Sequence, residues 1–349
     1  MPGMDGLELC NRIRKTGATV PIVVITSFSD KEMIQQIKLD NFGPLTSINW
    51  SNLSKINLVI GGNGSGKTFL LKAIYSSLRT LEEYKRGNEQ KTASEILFDK
   101  LYWTFQTEKI GDLVRKTSDT PLSSQLKINN QQFNYSFGKD TSKQISSLEN
   151  HVSPLTSNSI FLPAKEVLSL HQIILESREI DKVFGFDDTY YDLAKALRYK
   201  RPNGKVGGKN IDEFAKSRGK LEKIIGGVIE YDDASGSWLF VKGRNKFPIG
   251  VTAEGIKKIA ILDTLLSNRY LSANSVVLID EPESALHPAA IADLLDIVAM
   301  LAERGIQFFM ASHSYFVIKK LYLIAQEKGW SIPVLASTNE EWSCDDLKN

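Results

Sequence analysis

One segment, Gly61-Gly62-Asn63-Gly64-Ser65-Gly66-Lys67-Thr68, restricts the fold of this chain more than any other. The residues before it, Ile56–Ile60, are a mostly apolar run ended by glycines, the pattern of a buried strand. A helix pattern runs from Lys67 to about Arg79. Strand, glycine-rich turn and helix in that order supply the context that G-x-x-x-x-G-K-[ST] requires. Glycines let the backbone curl until successive N–H groups point at one anion, and the helix N-terminus reinforces the attraction. Gly61, Asn63, Gly64, Ser65 and Gly66 are therefore candidates for a phosphate cradle. Lys67 is placed to contact the β- and γ-phosphates of ATP, and the Thr68 hydroxyl to ligate Mg²⁺.

The rest of the chain agrees with an α/β fold. After a helix from Thr252 to about Asn268 come strand Ser275–Ile279, helix Pro288–Arg304, strand Ile306–Met310, helix Tyr315–Glu327 and strand Ile332–Ala336. Strands alternating with helices predict a mostly parallel sheet flanked by helices, the P-loop NTPase class. Ile37-Lys38-Leu39 alternates like a short edge strand. Between the two halves lies a mixed stretch with helices near Ser94–Phe105 and Asp188–Arg198, and strand-like alternation near Gln125–Phe137 and Trp238–Lys242. The expected organisation is a split core, 33–80 and 251–349, with a mixed α/β insertion at 81–250.

Val276–Ile279 is an apolar strand that ends in Asp280 and Glu281. A buried strand that places two acids at its end needs a cation to offset them. Asp280 is the candidate Mg²⁺ ligand, directly or through water, and Glu281 the candidate general base for an attacking water. His313 follows the next strand. Parallel strands put their C-terminal ends on one edge of the sheet, so His313 can reach the γ-phosphate or the water. His287 starts a helix after the acid pair, while His151 and His171 show no ligand spacing.

The order GGNGSGKT, VVLIDEPESALHP, MASHS resembles the ABC-type ATPase heads of the SMC, RecF and OLD-like group over roughly residues 33–340. The resemblance implies a homodimer closed by ATP, with a signature loop that touches ATP on the partner subunit. Val251–Lys258 (VTAEGIKK) stands at that loop, where Thr252 keeps a hydroxyl and Gly255 a close-approach position. Thr252 is equally placed to act as an ordinary helix N-cap. The group's loop glutamine is replaced: Ile160–Glu166 (IFLPAKE) carries Ala164 there, with Lys165 as a candidate substitute. The LPAKE pattern resembles stand-alone OLD-like ATPases of phage defence, which implies a separate nuclease or effector partner. Residues 1–32 resemble part of a response-regulator receiver domain without its acceptor aspartate, read as a fusion or misassigned start, a degenerate appendage, or a chance likeness.

Composition limits the partners. Lys+Arg 43 against Asp+Glu 41 makes no whole-chain case for nucleic acid or membrane, so any such surface is local. Arg198, Lys200, Arg201, Lys205 and Lys209, with Lys242, Arg244 and Lys246, form the candidate patch for double-stranded DNA, or simply solvated loops. Two cysteines, Cys10 and Cys344, and no apolar run long enough for a bilayer span point to a reducing, cytoplasmic setting and no membrane partner. The remaining alternatives are an ATP-gated DNA machine, a regulatory scaffold that holds an effector, and the ATP-binding subunit of a transporter. Whichever holds, Lys67→Ala is expected to abolish ATP binding, measured by titration with a fluorescent ATP analogue.

Overall fold

The computed structural model describes residues 33–145, 147–199, 214–338 and 341–349. Strands β1 (Ile34–Phe42), β2 (Leu45–Trp50) and β3 (Ile56–Gly61) lead through the glycine loop into α1 (Lys67–Glu83). Then come α2 (Ala93–Phe105), β4 (Leu122–Ile128), β5 (Gln131–Phe137), β6 (Ser147–Asn150) and β7 (Ser159–Leu162). Helices α3 (His171–Glu179), α4 (Asp188–Leu197) and α5 (Ala215–Ile225) precede β8 (Val228–Asp232), β9 (Ser237–Lys242) and β10 (Asn245–Pro248). The chain continues with α6 (Glu254–Ser267), β11 (Val276–Asp280), α7 (Pro288–Glu303), β12 (Gln307–Ser312), α8 (Tyr315–Lys328), β13 (Pro333–Thr338) and β14 (Glu341–Asp346).

These strands make three sheets. The central one has the order β14-β13-β3-β12-β11-β7, parallel except for β14 at one edge. Its inner strands β11 and β12 are buried on both sides because both faces are covered. Val277 and Ile279 of β11 and Phe308 and Met310 of β12 join one hydrophobic cluster, with α6, α7 and α8. Val276, Leu278, Phe309 and Ala311 point the other way, into a cluster with α1 and the antiparallel sheet β2-β1-β4-β5-β6. The third sheet is the small antiparallel β10-β9-β8. The interval between 81 and 250 is thus spread over all three sheets, and β7 pairs directly with β11.

Some expectations need correction. Ile37–Leu39 belongs to a nine-residue strand that lies between β2 and β4, not at an edge. The sequence cannot reveal this, because its partner β4 arrives some 80 residues later. The strand-like alternation at Gln125–Phe137 falls in two paired strands, β4 and β5. Asn129 and Asn130 both take left-handed φ values of 49° and 64° and turn the chain back, the backbone that a tight hairpin with right-handed twist needs. Residues 1–32 and Lys200–Lys209 lie outside the described residues. No helix among those described is long and apolar enough to cross a membrane.

One buried amide ties the antiparallel sheet to the central one. Gln307, at the start of β12, accepts a hydrogen bond from Ile34 N–H at 2.9 Å. Its Nε2 donates to the carbonyls of Ile34 and Ser54, both at 2.9 Å. Gln307→Leu would remove this partner from the Ile34 N–H and one donor from the Ile34 and Ser54 carbonyls, the latter still accepting from Asn57 Nδ2 at 2.8 Å; a buried group left unpaired costs about 1–3 kcal/mol. The expected loss is about 2–4 kcal/mol, seen as a lower urea midpoint with an unchanged m-value.

Candidate nucleotide site

The loop after β3 has the backbone that a phosphate cradle needs. Gly64 and Gly66 adopt φ values of 77° and 94°, a region that favours glycine over residues with a Cβ. A Cβ on Gly66 would also come within 2.9 Å of Leu45 Cδ2. Gly66 is the N-cap of α1, no side chain caps the helix and its first turn holds no acid. The positive end of α1 is therefore left to an anion. Lys67 is nearly buried, and its ammonium donates to the carbonyls of Gly61 at 2.9 Å and Gly62 at 2.8 Å. It is folded over its own loop, at the place where phosphate oxygens would compete for it. A cavity of about 540 Å³ opens beside this loop, lined by Asn63, Gly64, Gly66, Lys67, Thr68 and Glu281 together with Phe69, Lys72, Thr104, Phe105, Gln106 and Asp187. Of the cradle candidates, Gly61 ends β3 and Ser65 has a buried hydroxyl without a hydrogen-bond partner among the described residues.

Register does the rest. Asp280 of β11 sits level with Ala311 of β12, and Ser312 level with Ile60 of β3, so the strand ends share one edge. Thr68 Oγ1 donates to Asp280 Oδ2 at 2.8 Å, although the two residues are 212 apart in sequence. Burial raises the Asp280 pKa above the usual carboxylate value, against the pull of the Thr68 hydroxyl. Its other oxygen, Oδ1, is buried with no hydrogen-bond partner. A threonine hydroxyl beside an unsatisfied carboxylate oxygen is a hard, all-oxygen donor pair, which suits Mg²⁺ completed by phosphate oxygens and water. No cluster of three or more His, Cys, Asp or Glu side chains that could hold a metal by itself occurs among the described residues.

Glu281 follows in a left-handed conformation, φ 46°, strained for a residue with a Cβ. Its neighbours hold it there. Its N–H donates to Ala311 O at 2.9 Å, and its carbonyl accepts from Lys258 Nζ at 2.5 Å and from Ser284 N–H at 2.9 Å. The Glu281 carboxylate stays half-exposed, with Oε1 3.7 Å from His313 Nδ1. The structure thus brings Lys67, Thr68, Asp280, Glu281 and His313 to one sheet edge.

Two residues not singled out from the sequence hold this arrangement. Glu283, mostly buried, accepts from Ser312 Oγ at 2.8 Å and from His313 N–H at 3.3 Å. It pins the turn that carries His313, whose Nδ1 lies 3.6 Å from the same carboxylate oxygen. Its position two residues past Glu281 was the only signal. Lys258 is the second: burial pulls its amine down to about 8 against the attraction of Glu283, Asp280 and Glu281.

The remaining candidates fall elsewhere. Thr252 is not the N-cap of α6; Ala253 occupies that position, with no side-chain cap. Gly255 makes a close approach within its own chain, since a Cβ there would lie 2.6 Å from Leu286 Cδ2 and 3.0 Å from Ala285 O. Neither residue lines the cavity beside the glycine loop. Lys165 does not line it either, but faces a separate cavity with Ala164 and Lys258. His287 does start α7, its Nδ1 accepting from Ala289 N–H at 3.3 Å. Lys246 of the basic patch is paired with Glu230 at 3.1 Å.

A buried carboxylate with a raised pKa favours folding while protonated, and that contribution is lost as pH rises through the folded pKa. Asp280→Asn is therefore expected to make the nucleotide-free protein more stable at pH 7 by about 1 kcal/mol, with the gain shrinking as pH falls. The same variant should lose the rise in Tm on adding ATP with Mg²⁺. Urea and thermal melts at two pH values test both.

Residues 99–319, more than half of the chain, match the family described as "AAA domain, putative AbiEii toxin, Type IV TA system". The match begins after the glycine loop and includes the acid pair and His313. A Helicobacter pylori protein named "ATP/GTP phosphatase" is 22% identical, with 86% of this chain and 90% of that protein covered. Among solved structures, an Smc head bound to the C-winged helix domain of ScpA aligns with a TM-score of 0.52 at 13% identity, covering 90% of this chain and 97% of that one. An Smc head with an extended coiled coil, bound to the C-terminal domain of ScpA derived from Pyrococcus furiosus, aligns at 0.50 with 12% identity, covering 90% and 96%. At these identities the likeness is one of fold, and it is the fold of an ABC-type ATPase head with its P-loop at the end of β3. The chain belongs to the AAA-domain family whose description names the AbiEii toxin of type IV toxin–antitoxin systems.

Proposed function

We propose that this ATPase works as an ATP-gated homodimer whose opening and closing controls a separate protein effector, in phage defence or a toxin-type system. The observation that carries the reading is the Thr68–Asp280 hydrogen bond at 2.8 Å, with Glu281 and His313 on the same edge. It joins the glycine loop to an acid pair whose Asp280 Oδ1 is buried without a hydrogen-bond partner among the described residues. The family description and the relative named as a phosphatase of ATP and GTP support nucleotide hydrolysis as the chemistry.

In this reading the glycine loop and the N-terminus of α1 hold the phosphates, and Lys67 leaves its own carbonyls for the β- and γ-phosphates. Thr68 and Asp280 would hold Mg²⁺, which supplies charge neutralisation at the phosphates when bound. Glu281 accepts the proton of the attacking water, and its constrained backbone keeps the carboxylate aimed at the site. His313, anchored through Glu283, donates to the γ-phosphate or orients the water. The uncapped N-terminus of α6, with Thr252 and Gly255, would meet ATP on the partner subunit, since helix N–H groups suit a phosphate. Gly255 then has two reasons to be glycine: its own Leu286 and the approach of the partner's nucleotide.

The described basic residues give no particular support to a DNA clamp. A titration of turnover against double-stranded DNA checks this, with no stimulation expected. The decisive variant is Glu281→Gln. It should bind ATP normally, slow turnover by about 10²–10⁴-fold and accumulate as a dimer with ATP and Mg²⁺ in light scattering after size exclusion. Turnover at the normal rate would refute the assignment of the base.

A further inference from the structure

Helix α3, its two caps and the turn after it carry an apolar strip that nothing among the described residues covers. Leu170, the N-cap of α3, begins it. Ile173, Ile180 and Val183 continue it with exposures of 56%, 73% and 50%. His171 and Ile174, each about 100° round the helix from its neighbour Leu170 or Ile173, are buried in the core. Spacings of three and seven residues from Leu170 to Ile173 and on to Ile180 place these side chains on one face of the helix. Scattered exposed apolar residues are ordinary, but a contiguous row is the mark of an interaction site.

Both ends of the strip reach toward the nucleotide site. At the Leu170 end opens a cavity of about 310 Å³, walled by Leu162, Leu193, Ile261 and Ala285, with Lys258 among its lining. This is the lysine that donates to the Glu281 carbonyl. At the other end Phe184 rests on Tyr102 and Trp103, with centroids 5.1 Å and 5.4 Å away. The chain then runs to Asp187, which lines the cavity beside the glycine loop and binds Lys72 at 2.6 Å. A partner lying on this strip would touch elements that bear on both Glu281 and the phosphate cradle.

Charge selects the occupant. Glu176, Glu179 and Asp181 border the strip and are exposed. Glu176 meets the Gln172 amide and Glu179 the Tyr191 hydroxyl, and no cation pairs with the three among the described residues. Arg178 and Lys182 lie beside them in sequence, and Arg178 is engaged by Asp188 at 2.9 Å and by the Trp103 ring. A second copy docked through the same face would set these carboxylates against one another, because a two-fold contact is self-complementary. An anionic lipid surface would meet the same repulsion.

We propose that the α3 strip is the docking site for an amphipathic helix of a partner protein, with basic side chains flanking its apolar seam and one apolar side chain seated in the 310 Å³ cavity. This rests on the reading that ATP turnover controls a protein partner. Such helices commonly bind by laying an apolar face into a groove.

The test uses the full chain and fluorescence anisotropy with a synthetic helical peptide of about five turns, leucines along one face and lysines on both flanks. A control peptide has glutamates in place of the lysines. The lysine peptide should bind saturably, about tenfold or more tighter than the control. The double substitution Ile173→Glu, Ile180→Glu should weaken it at least about tenfold, with Tm and basal ATP turnover unchanged. Equal binding of the two peptides, binding unaffected by the substitutions, or binding of neither overturns the proposal. So does nucleotide-independent self-association that the substitutions abolish. Turnover in the same samples separates the two readings. A chain that hydrolyses ATP but binds neither peptide removes the docking surface and leaves the ATP site standing. A chain that binds the lysine peptide while Glu281→Gln turns over normally removes the assigned base and leaves the surface standing.

Discussion

A carboxylate at the buried end of β11 sets the terms for everything around it. Asp280 has one oxygen satisfied by the Thr68 hydroxyl and the other by nothing. An arrangement of this kind is costly by itself; in the proposed function a cation and phosphate oxygens would offset that cost. The neighbouring geometry follows from the same need. The cradle must end β3, the acid must end β11, and β12 between them must run parallel so that both ends open on one side. The strain at Glu281 and the folded-back ammonium of Lys67 belong to the same pattern, a site whose groups are positioned for a ligand and not for one another.

The second constraint is how α1 is held. It carries the cradle at its N-terminus, and its far half is tied into a buried ionic network. Asp192 on α4 accepts from Tyr75 Oη at 2.7 Å, from Arg79 Nε at 3.2 Å and from Lys100 Nζ at 3.3 Å. Burial opposes a charge there, yet Lys100 and Arg79 hold the Asp192 carboxyl well below its usual range. Its neighbour Asp188 has burial as the larger influence and is pushed upward. Pairs of this sort add little net stability compared with apolar packing, but removing one partner is expensive. Their effect is to fix the relative placement of α1, α2 and α4, and hence of Lys72 and Asp187 at the mouth of the nucleotide cavity.

Long periodic segments and the glycine loop were legible without a structure. Helices such as Pro288–Glu303 and strands such as Val276–Asp280 fall within a residue or two of the expected limits, because their burial patterns are local. The short strands β2, β6, β8, β10 and β14, and the turn at Asn129-Asn130, are not expected from the sequence alone. Each of these depends on a partner distant in sequence or on a backbone conformation that residue type only permits. Glu283 and Lys258 were missed for the same reason. Their roles exist only after the chain folds back to place Ser312 beside one and the Glu281 carbonyl beside the other.

By itself the sequence determined the chemistry of the site's parts: a glycine loop able to curl, a lysine and a hydroxyl at its end, two acids closing an apolar strand, and a histidine after the next one. These are properties of residue type and short spacing, and short-range sterics enforce them wherever the segment lies. Only the tertiary structure decided which parts meet. It set Thr68 against Asp280, turned Gly255 toward its own Leu286, sent Lys165 to a different cavity and left the α3 strip uncovered by any of the described residues. Those outcomes follow from sheet order and register, in which each strand answers to hydrogen-bond partners far along the chain, and no local pattern encodes them.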